Sequence, residues 1–392
     1  MAPWLAAAGA FVVSLDSMMN IAFPSIAAAF GVPPETIRWI IICYTGVYAV
    51  TAFAGGAVAD LIGHMRVFRA GVALTAVALL AGGCAPSFGW LLAARAVQGI
   101  GGGLIYGTAP GIVTLAAAPE RRGRALGALN GAIALGFALG PLSAGVLVDF
   151  FGWRAVFFTR VPIAVAVLGA TLAFHVTRRA AGTRRLVALS DLRRPPVPVA
   201  CVLAFLAYAG IFAIWLLVPF YLVERRGFGV GISGAIFTLT PLGTTLAAPL
   251  AGRAADRIGA AAPLIVGLVL EAGGLGALAL ADVRTPTLAV ATALFAAGLG
   301  VGIFQVPMMT LVMGAFPAEL QGAAGGLTFL SRTLGLVAGV AALAALFAAR
   351  RAVVGFDAAF ADAFLLATGM VALGAALAIA RVRRLRSRAA SR

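Results

Sequence analysis

The sequence contains no lysine and very few histidine and cysteine residues. All 29 basic residues are arginine, which excludes the Gly-Lys-Ser/Thr phosphate loop of ATP-driven pumps and Schiff-base chemistry on a lysine. The two histidines and three cysteines lie far apart, and their spacing fits neither a zinc or haem site nor a disulfide framework. We therefore predict no metal, no cofactor and no catalytic residue.

Charged residues are also scarce, whereas apolar residues are abundant. Charged residues make up 11% of the chain, compared with about 25% in soluble domains. Apolar residues make up 62%, compared with about 45–50%. Together with a mean hydropathy of +1.06, this predicts an all-α integral membrane protein, since about 20 apolar residues cross a bilayer. Twelve transmembrane helices are expected near residues 5–30, 37–59, 67–85, 88–118, 122–148, 155–176, 199–223, 230–252, 262–281, 287–315, 321–349 and 357–380.

The one long hydrophilic stretch, residues 178–198, divides these helices six from six. It is rich in arginine and proline, as expected of a polar linker. We accordingly predict two six-helix bundles at 1–177 and 199–381, joined by this cytoplasmic linker and followed by a basic cytoplasmic tail at 382–392.

The distribution of arginine predicts the orientation of the chain. If both termini are cytoplasmic, nineteen arginines lie in inner segments and eight, Arg160 among them, lie in outer segments. This excess satisfies the positive-inside rule and predicts a multi-pass protein of the inner (plasma) membrane. The formal charge of +16 then indicates contact with the lipid bilayer rather than a nucleic-acid partner. We expect a monomer.

The two halves of the sequence repeat one another. Residues 56–63, with the pattern Gly-x-x-Ala-Asp-x-Ile-Gly, recur at 252–259, and six glycines between Gly99 and Gly140 recur between Gly298 and Gly339. Because the copies follow in the same order, the halves are predicted to be parallel repeats related by an axis along the membrane normal. Such an arrangement supports alternating access to a central site.

Several longer motifs follow in the order of a known family. The first helix contains LDSMMNIAFPSIAAAFG, the loop after helix 2 reads GAVADLIGHMR, and helices 4 and 5 contain RAVQGIGGG and GFALGPLSAG. WRAVFFTRVPI and PAELQGAAGGLTFLSRTLG come later. The chain resembles the major facilitator superfamily and, within it, the drug:proton antiporters of the fourteen-helix type. It differs in having only the linker where those proteins have an extra helix pair, and in having Leu61 and His64 where basic residues are usual.

The resemblance implies the major facilitator fold and a small-molecule substrate exchanged for protons. It also implies a latch between Asp60 and helix 11, although a solvated loop carboxylate is the alternative. The predicted gating residues are Gly56, Asp60, Gly63, Arg66 and Asp256. In helix 5, Gly136 and Gly140 form a face without side chains, and Pro141 lacks a backbone donor, so we predict a kink there. The resemblance implies that this kink is a hinge.

Asp16 is the strongest functional signal, because a carboxylate inside a membrane helix is costly and is neutralised by a proton or a partner. At 1.5 Å per residue, its depth lies within a turn of the depth of Arg95 in helix 4. We predict that the two residues interact and that Asp16 carries the coupling proton. Burial favours the neutral acid and a nearby guanidinium favours the carboxylate. A fixed ion pair, or a carboxylate facing an aqueous vestibule, is the alternative.

Polar and aromatic side chains at membrane depth are the candidates for substrate binding. Polar groups there either bind substrate or join helices to one another. The aromatic residues of helix 7 form a stripe that either stacks on an amphipathic or cationic substrate or packs against lipid. The candidate residues are Asn20, Tyr44, Gln98, Phe205, Tyr208, Phe212, Trp215, Gln305 and Met309.

These observations predict a proton-coupled secondary transporter that exports small amphipathic or lipophilic compounds by alternating access. An exporter or importer of an endogenous metabolite or lipid on the same fold is the alternative. An enzyme is disfavoured, because only Asp16 and Glu271 supply acids at membrane depth and they lie in different halves. The duplicated halves and the proline hinge argue against a channel.

Overall fold

The computed structural model describes residues 2–32, 36, 38–173 and 189–390. These residues form helices joined by short turns, with no strand among them. Residues 174–188, which hold the end of the predicted sixth helix and half of the predicted linker, lie outside the described part. The helices are α1 (Ala2–Ser14), α2 (Met19–Phe30), α3 (Arg38–Ile62), α4 (His64–Gly83), α5 (Phe88–Ala116), α6 (Arg122–Phe151), α7 (Ala155–Phe158), α8 (Arg160–Ala173), α9 (Leu189–Leu192), α10 (Val197–Phe220), α11 (Val230–Phe237), α12 (Leu239–Ile258), α13 (Ala261–Ala279), α14 (Thr287–Ala315), α15 (Gln321–Val354) and α16 (Phe356–Ala390).

Within the described residues, eleven helical stretches are long and apolar enough to cross a membrane. The first predicted helix is divided, because a 3₁₀ turn, Leu15–Met18, separates α1 from α2. A shorter apolar stretch, Ala2–Met18, ends in that turn. The predicted all-α membrane architecture is confirmed, and the main local difference is the turn inside the first helix.

The chain divides into two compact units, and each unit contains segments from both halves of the sequence. Unit 1 contains the described residues of Met1–Pro119, Ala132–Leu192 and Phe316–Leu330. Unit 2 contains Glu120–Gly131 and the described residues of Arg193–Ala315 and Ser331–Arg392. The amino-terminal turns of α6 and α15 therefore belong to the opposite unit from the rest of each helix.

Glycines on α5 allow the backbones of unit 1 to approach closely. A Cβ atom on Gly99 would lie 2.6 Å from the Tyr44 carbonyl oxygen of α3, and one on Gly103 would lie 2.7 Å from the Thr51 Cβ atom. A third glycine on the same face, Gly107, would overlap the α3 backbone at Ala52. The spacing of four residues places these glycines on one face of α5, so helix pairing depends on their lack of a side chain.

Two helices run past their predicted ends because arginine is a good helix former. α15 continues through Arg350 and Arg351 to Val354, and α16 continues beyond residue 380 to Ala390. α15 ends where Gly355 adopts a positive φ of +82°, a backbone conformation that favours glycine. Long arginine side chains at helix ends reach the membrane interface, so these charges do not require a loop.

Candidate functional site

Asp16 lies in the 3₁₀ turn between α1 and α2. α6 packs tightly against this turn, because a Cβ atom on Gly140 would overlap the Ser17 hydroxyl oxygen. The Ser17 hydroxyl donates a hydrogen bond to the Phe137 carbonyl oxygen at 3.3 Å. One turn earlier, a Cβ atom on Gly136 would lie 2.6 Å from the Ser14 Cβ atom. The position of Asp16 therefore depends on this close packing.

Asp16 forms ion pairs with two arginines rather than one. Arg95 donates to both carboxylate oxygens, from Nη1 to Oδ1 at 2.6 Å and from Nη2 to Oδ2 at 2.7 Å. Oδ1 also accepts hydrogen bonds from the Gln98 amide at 3.0 Å and from Arg160 Nη1 at 2.8 Å. Bidentate, charge-assisted pairs are among the strongest hydrogen bonds in proteins, so this conformation suits an ionised carboxylate.

Tyr44 and Gln98 hold the first arginine in place. The Arg95 guanidinium carbon lies 4.2 Å from the centre of the Tyr44 ring, and Nη1 donates to Gln98 Oε1 at 2.7 Å. Arg160 has its own backbone contact, since Nε donates to the Val156 carbonyl oxygen at 2.9 Å. We call Asp16, Tyr44, Arg95, Gln98 and Arg160 the Asp16 cluster.

The Asp16 cluster carries an excess positive charge inside unit 1. Arg95 is 2% exposed and Arg160 is 0% exposed, whereas the Asp16 side chain retains 12%. Among the described residues, Asp16 is the ion-pair partner of both guanidiniums. One ionised carboxylate between two guanidiniums leaves a net charge of about +1, in surroundings where charges interact more strongly than in water.

Arg160 was predicted to lie in an outer segment, and that prediction is wrong. The residue begins α8 after the single turn α7, and its side chain is buried against Asp16. The prediction failed because Arg160 lies near the start of the predicted helix 155–176, and a charge at a helix end was counted with the outer segment beside it. Asn20, one turn beyond Asp16, is exposed and lies outside the set of contacts just described.

Unit 2 contains a separate polar contact at membrane depth. The Tyr208 hydroxyl and Gln305 Oε1 are 2.6 Å apart, and both residues are buried. The Arg332 guanidinium lies over the Tyr208 ring at 4.4 Å. Met309 is buried nearby on α14, and its sulfur accepts from the Asn130 amide at 3.6 Å. The structure thus brings Tyr208 and Gln305 together and adds Arg332.

The other aromatic residues of α10 continue along the helix from Tyr208. The Phe212 and Trp215 rings stack with centroids 6.1 Å apart, and Trp215 meets the Phe237 ring edge to face at 4.9 Å. Phe205 is half-buried, and its backbone packs directly against Gly335 of α15. The predicted stripe therefore already packs partly against protein.

Asp60 caps the amino terminus of α15. Its two oxygens accept hydrogen bonds from the backbone amides of Gly322 and Ala323, each at 2.8 Å. His64, four residues along, places Nε2 3.2 Å from Asp60 Oδ1. A carboxylate at a helix amino terminus satisfies orphan amides and interacts favourably with the helix dipole. Asp60 is buried, so it is not a solvated loop carboxylate.

Asp256, the repeat counterpart of Asp60, makes the same contact in unit 2. Its oxygens accept from the backbone amides of Gly123 and Arg124 of α6, at 2.8 and 2.9 Å. Glycines make both contacts possible, because a Cβ atom on Gly56 would overlap the Gly322 carbonyl group. The duplicated sequence motif thus forms two equivalent helix caps.

The remaining predicted gating and hinge residues lie at turns or inside helices. Gly63 joins α3 to α4 with a positive φ of +103°. Arg66 is exposed, and its guanidinium donates to the Ile62 carbonyl oxygen at 3.5 Å. Pro141 lies within the unbroken helix α6, next to the glycines that pack against the Asp16 turn.

Glu271 is a buried acid that the structure does not explain. It is 0% exposed in α13, and neither carboxylate oxygen has a hydrogen-bond partner among the described residues.

A groove of about 720 Å³ lies between α13 and α14, lined by apolar residues such as Val269 and Ala296. This groove includes none of the predicted site residues, and exposed side chains such as Val266 place it on the surface of unit 2. Within the described residues no cluster of histidine, cysteine and acidic side chains could hold a metal ion.

Comparison with known proteins decides the family. A family model described as Major Facilitator Superfamily matches residues 5–340. The chain belongs to the Major Facilitator Superfamily. It is a multi-pass membrane transporter of small molecules rather than an enzyme.

Individual relatives agree with this membership. The multidrug resistance protein Stp of Mycobacterium tuberculosis is 29% identical, over 87% of this chain and 74% of that protein. The tetracenomycin C resistance and export protein of Streptomyces glaucescens is 27% identical, over 89% and 76% of the two chains. The solved structure of the human organic anion transporter MFSD10 shares the fold with a TM-score of 0.74 at 17% identity, covering 96% of this chain and 98% of that one.

Proposed function

We propose that this transporter exports small amphipathic or lipophilic compounds from the cytoplasm in exchange for protons, with Asp16 carrying the coupling proton. The observation that supports the proposal most directly is a membrane-embedded carboxylate held by two buried guanidiniums. Acids at that depth are typical of proton relays in transporters. The names of the relatives, which refer to drug resistance and export, support the direction of transport.

Protonation of Asp16 would change the packing around it. A neutral carboxyl group loses charge-assisted hydrogen bonds, each worth about 1.5–3 kcal/mol. These bonds join the 3₁₀ turn to α5 and α8, and α6 packs on the same turn through Gly140. We propose that this is how proton binding reaches α6, with Gly136, Gly140 and Pro141 as the hinge.

The two helix caps are proposed as latches of the transport cycle. Asp60 holds the start of α15 and Asp256 holds the start of α6. Both carboxylates come from the repeated loop motif, so a cap of this kind can form once in each half. Breaking a cap would expose two orphan backbone amides, which gives each latch a free-energy cost of release.

Substrate contacts are proposed for both units. In unit 1 the candidates are Asn20, Tyr44 and Gln98 beside Asp16. In unit 2 they are the side chains around the Tyr208–Gln305 hydrogen bond, namely Phe205, Phe212, Trp215 and Met309. Aromatic faces and methionine suit apolar compounds of varied shape.

We further propose the inner (plasma) membrane as location, with both termini in the cytoplasm and a monomer as the working unit. The excess of arginine in the predicted inner segments supports this orientation. The division into bundles at 1–177 and 199–381 likewise remains a proposal.

Flux measurements in proteoliposomes test the proposal. The probe is the uncharged dye 7-(diethylamino)coumarin-3-carboxamide, and protein-free liposomes from the same lipids correct for passive entry. With an acidic interior, proton exchange should concentrate the dye inside, and an alkaline interior should deplete it. No dependence on the pH gradient would contradict proton coupling, and a flux of the opposite sign would favour symport and import.

A further inference from the structure

Asp16 lies between two arginines, whereas a simple ion pair needs only one guanidinium for one carboxylate. Arg95 alone occupies both oxygens of Asp16, yet Arg160 adds a further hydrogen bond to Oδ1 at 2.8 Å. Oδ1 therefore accepts from three donors, while Oδ2 accepts only from Arg95 among the described residues.

The electrostatic consequence is a site that repels positive charge. Tyr44 and Cys43 are further neighbours of Arg95, and neither side chain carries a carboxylate that could offset the second guanidinium. No second carboxylate pairs with either guanidinium among the described residues. A cation that approaches Asp16 therefore meets two fixed positive charges and one negative charge, with little screening by salt.

Arg160 also has an unused donor. Its Nη2 atom is buried and has no hydrogen-bond partner among the described residues. A buried donor without a partner is unfavourable, so an acceptor on a bound molecule, such as a carbonyl or carboxylate oxygen, would improve its environment. The same atom gives an ammonium group nothing to bind.

We propose that Arg160 is a specificity-determining residue that excludes cationic amphiphiles from the Asp16 cluster and favours uncharged or anionic compounds bearing a hydrogen-bond acceptor. The inference rests on the proposed function, since it requires that substrates reach Asp16. It restricts the substrates to uncharged or anionic compounds, whereas the aromatic stripe of α10 by itself would also suit cations.

Three dyes on one scaffold test this charge selectivity. They are 7-(diethylamino)coumarin-3-carboxylate, its uncharged carboxamide and the cationic trimethylammonioethyl amide. Binding to the purified full chain in nanodiscs of zwitterionic lipid is measured by fluorescence anisotropy. The wild-type protein should bind the carboxylate and the carboxamide at least tenfold more tightly than the cation.

Variants of arginine then assign the selectivity to one side chain. Arg160→Gln should improve binding of the cation about tenfold and weaken binding of the carboxylate about tenfold. Binding of the carboxamide should stay nearly unchanged, because the glutamine NH2 group can still donate to its carbonyl oxygen. Arg160→Lys, which keeps the charge, should retain the wild-type order. The matched control is Arg154→Gln, because Arg154 donates to the Gly83 and Ala85 carbonyl oxygens rather than to Asp16.

The possible results separate the inference from the proposed function. Equal binding of cation and carboxamide by the wild type would overturn the inference, whether or not the variants fold. An unchanged ratio in Arg160→Gln, with carboxamide binding intact, would overturn the role of Arg160. If the pH gradient moves the carboxamide and the cation equally well, only the inference fails. If it moves neither, the proposed function fails.

Discussion

Gly56 lies so close to Gly322 that a side chain at this position would force α3 and α15 apart. A Cβ atom on Gly56 would fall far inside 3.0 Å of the Gly322 carbonyl group, and the nearest atoms are backbone atoms that cannot rotate away. In Gly56→Ala the two backbones would need to separate by roughly 1 Å, and overpacking of this kind costs about 1–3 kcal/mol.

The same separation would weaken the Asp60 cap. Its two hydrogen bonds to the α15 amides are 2.8 Å long, and a shift of roughly 1 Å takes them beyond hydrogen-bonding distance. Loss of one such charge-assisted bond adds about 1.5–3 kcal/mol. We therefore expect Gly56→Ala to destabilise the capped conformation by about 2.5–6 kcal/mol.

Thermal unfolding of the purified protein, followed by fluorescence-detected size-exclusion chromatography, measures the effect. The matched control is Gly46→Ala in the same helix, where a Cβ atom would meet nothing within 4 Å. That control should melt at the wild-type temperature or slightly above it, because alanine is the better helix former by about 1 kcal/mol. If Gly56→Ala melts together with Gly46→Ala, the close packing at Gly56 and the stability argument built on it are wrong.

Three further outcomes are expected. Asp256→Asn should lower the melting temperature, since one of the two carboxylate oxygens that accept from the α6 amides is replaced by an NH2 group, which can only donate. Tyr208→Phe should weaken binding of the uncharged coumarin dye severalfold by leaving the buried Gln305 amide oxygen without its 2.6 Å partner. The Thr285 hydroxyl holds the pKa of Asp282 below its usual range, so the Asp282 turn should persist above the ordinary aspartate pKa of about 3.9 and be lost as the pH falls through the lowered value. Amide hydrogen exchange at Thr285 across that pH range checks this, with Asp282→Asn as the unprotected reference.

The membrane fold could be predicted from the sequence because apolar runs of about 20 residues leave few alternatives. Helix rise also places Asp16 and Arg95 at similar depths in the membrane, and the structure places the two side chains in contact. In each case a local property of the chain was sufficient.

Other contacts between distant segments could not be predicted in this way. The repeated motif identified Asp60 and Asp256 as candidates, but the amides they cap lie 262 and 133 positions away. Arg160 was counted with the outer charges because charge counting does not reveal that α8 starts with a buried guanidinium. The 3₁₀ turn Leu15–Met18 itself contains no glycine or proline, so its residues do not predict the interruption of the first helix.

Proton movement driven by the substrate tests the central claim, the role of Asp16, most directly. Proteoliposomes are loaded with the pH indicator pyranine and with the uncharged coumarin dye, so that the dye gradient points outward. The internal pH is recorded as the dye leaves. The wild type and the control Asp362→Asn, whose carboxylate pairs with Arg350 at the surface, should acidify the interior. Asp16→Asn should release the dye without acidification. Acidification by Asp16→Asn at the wild-type rate would contradict the account.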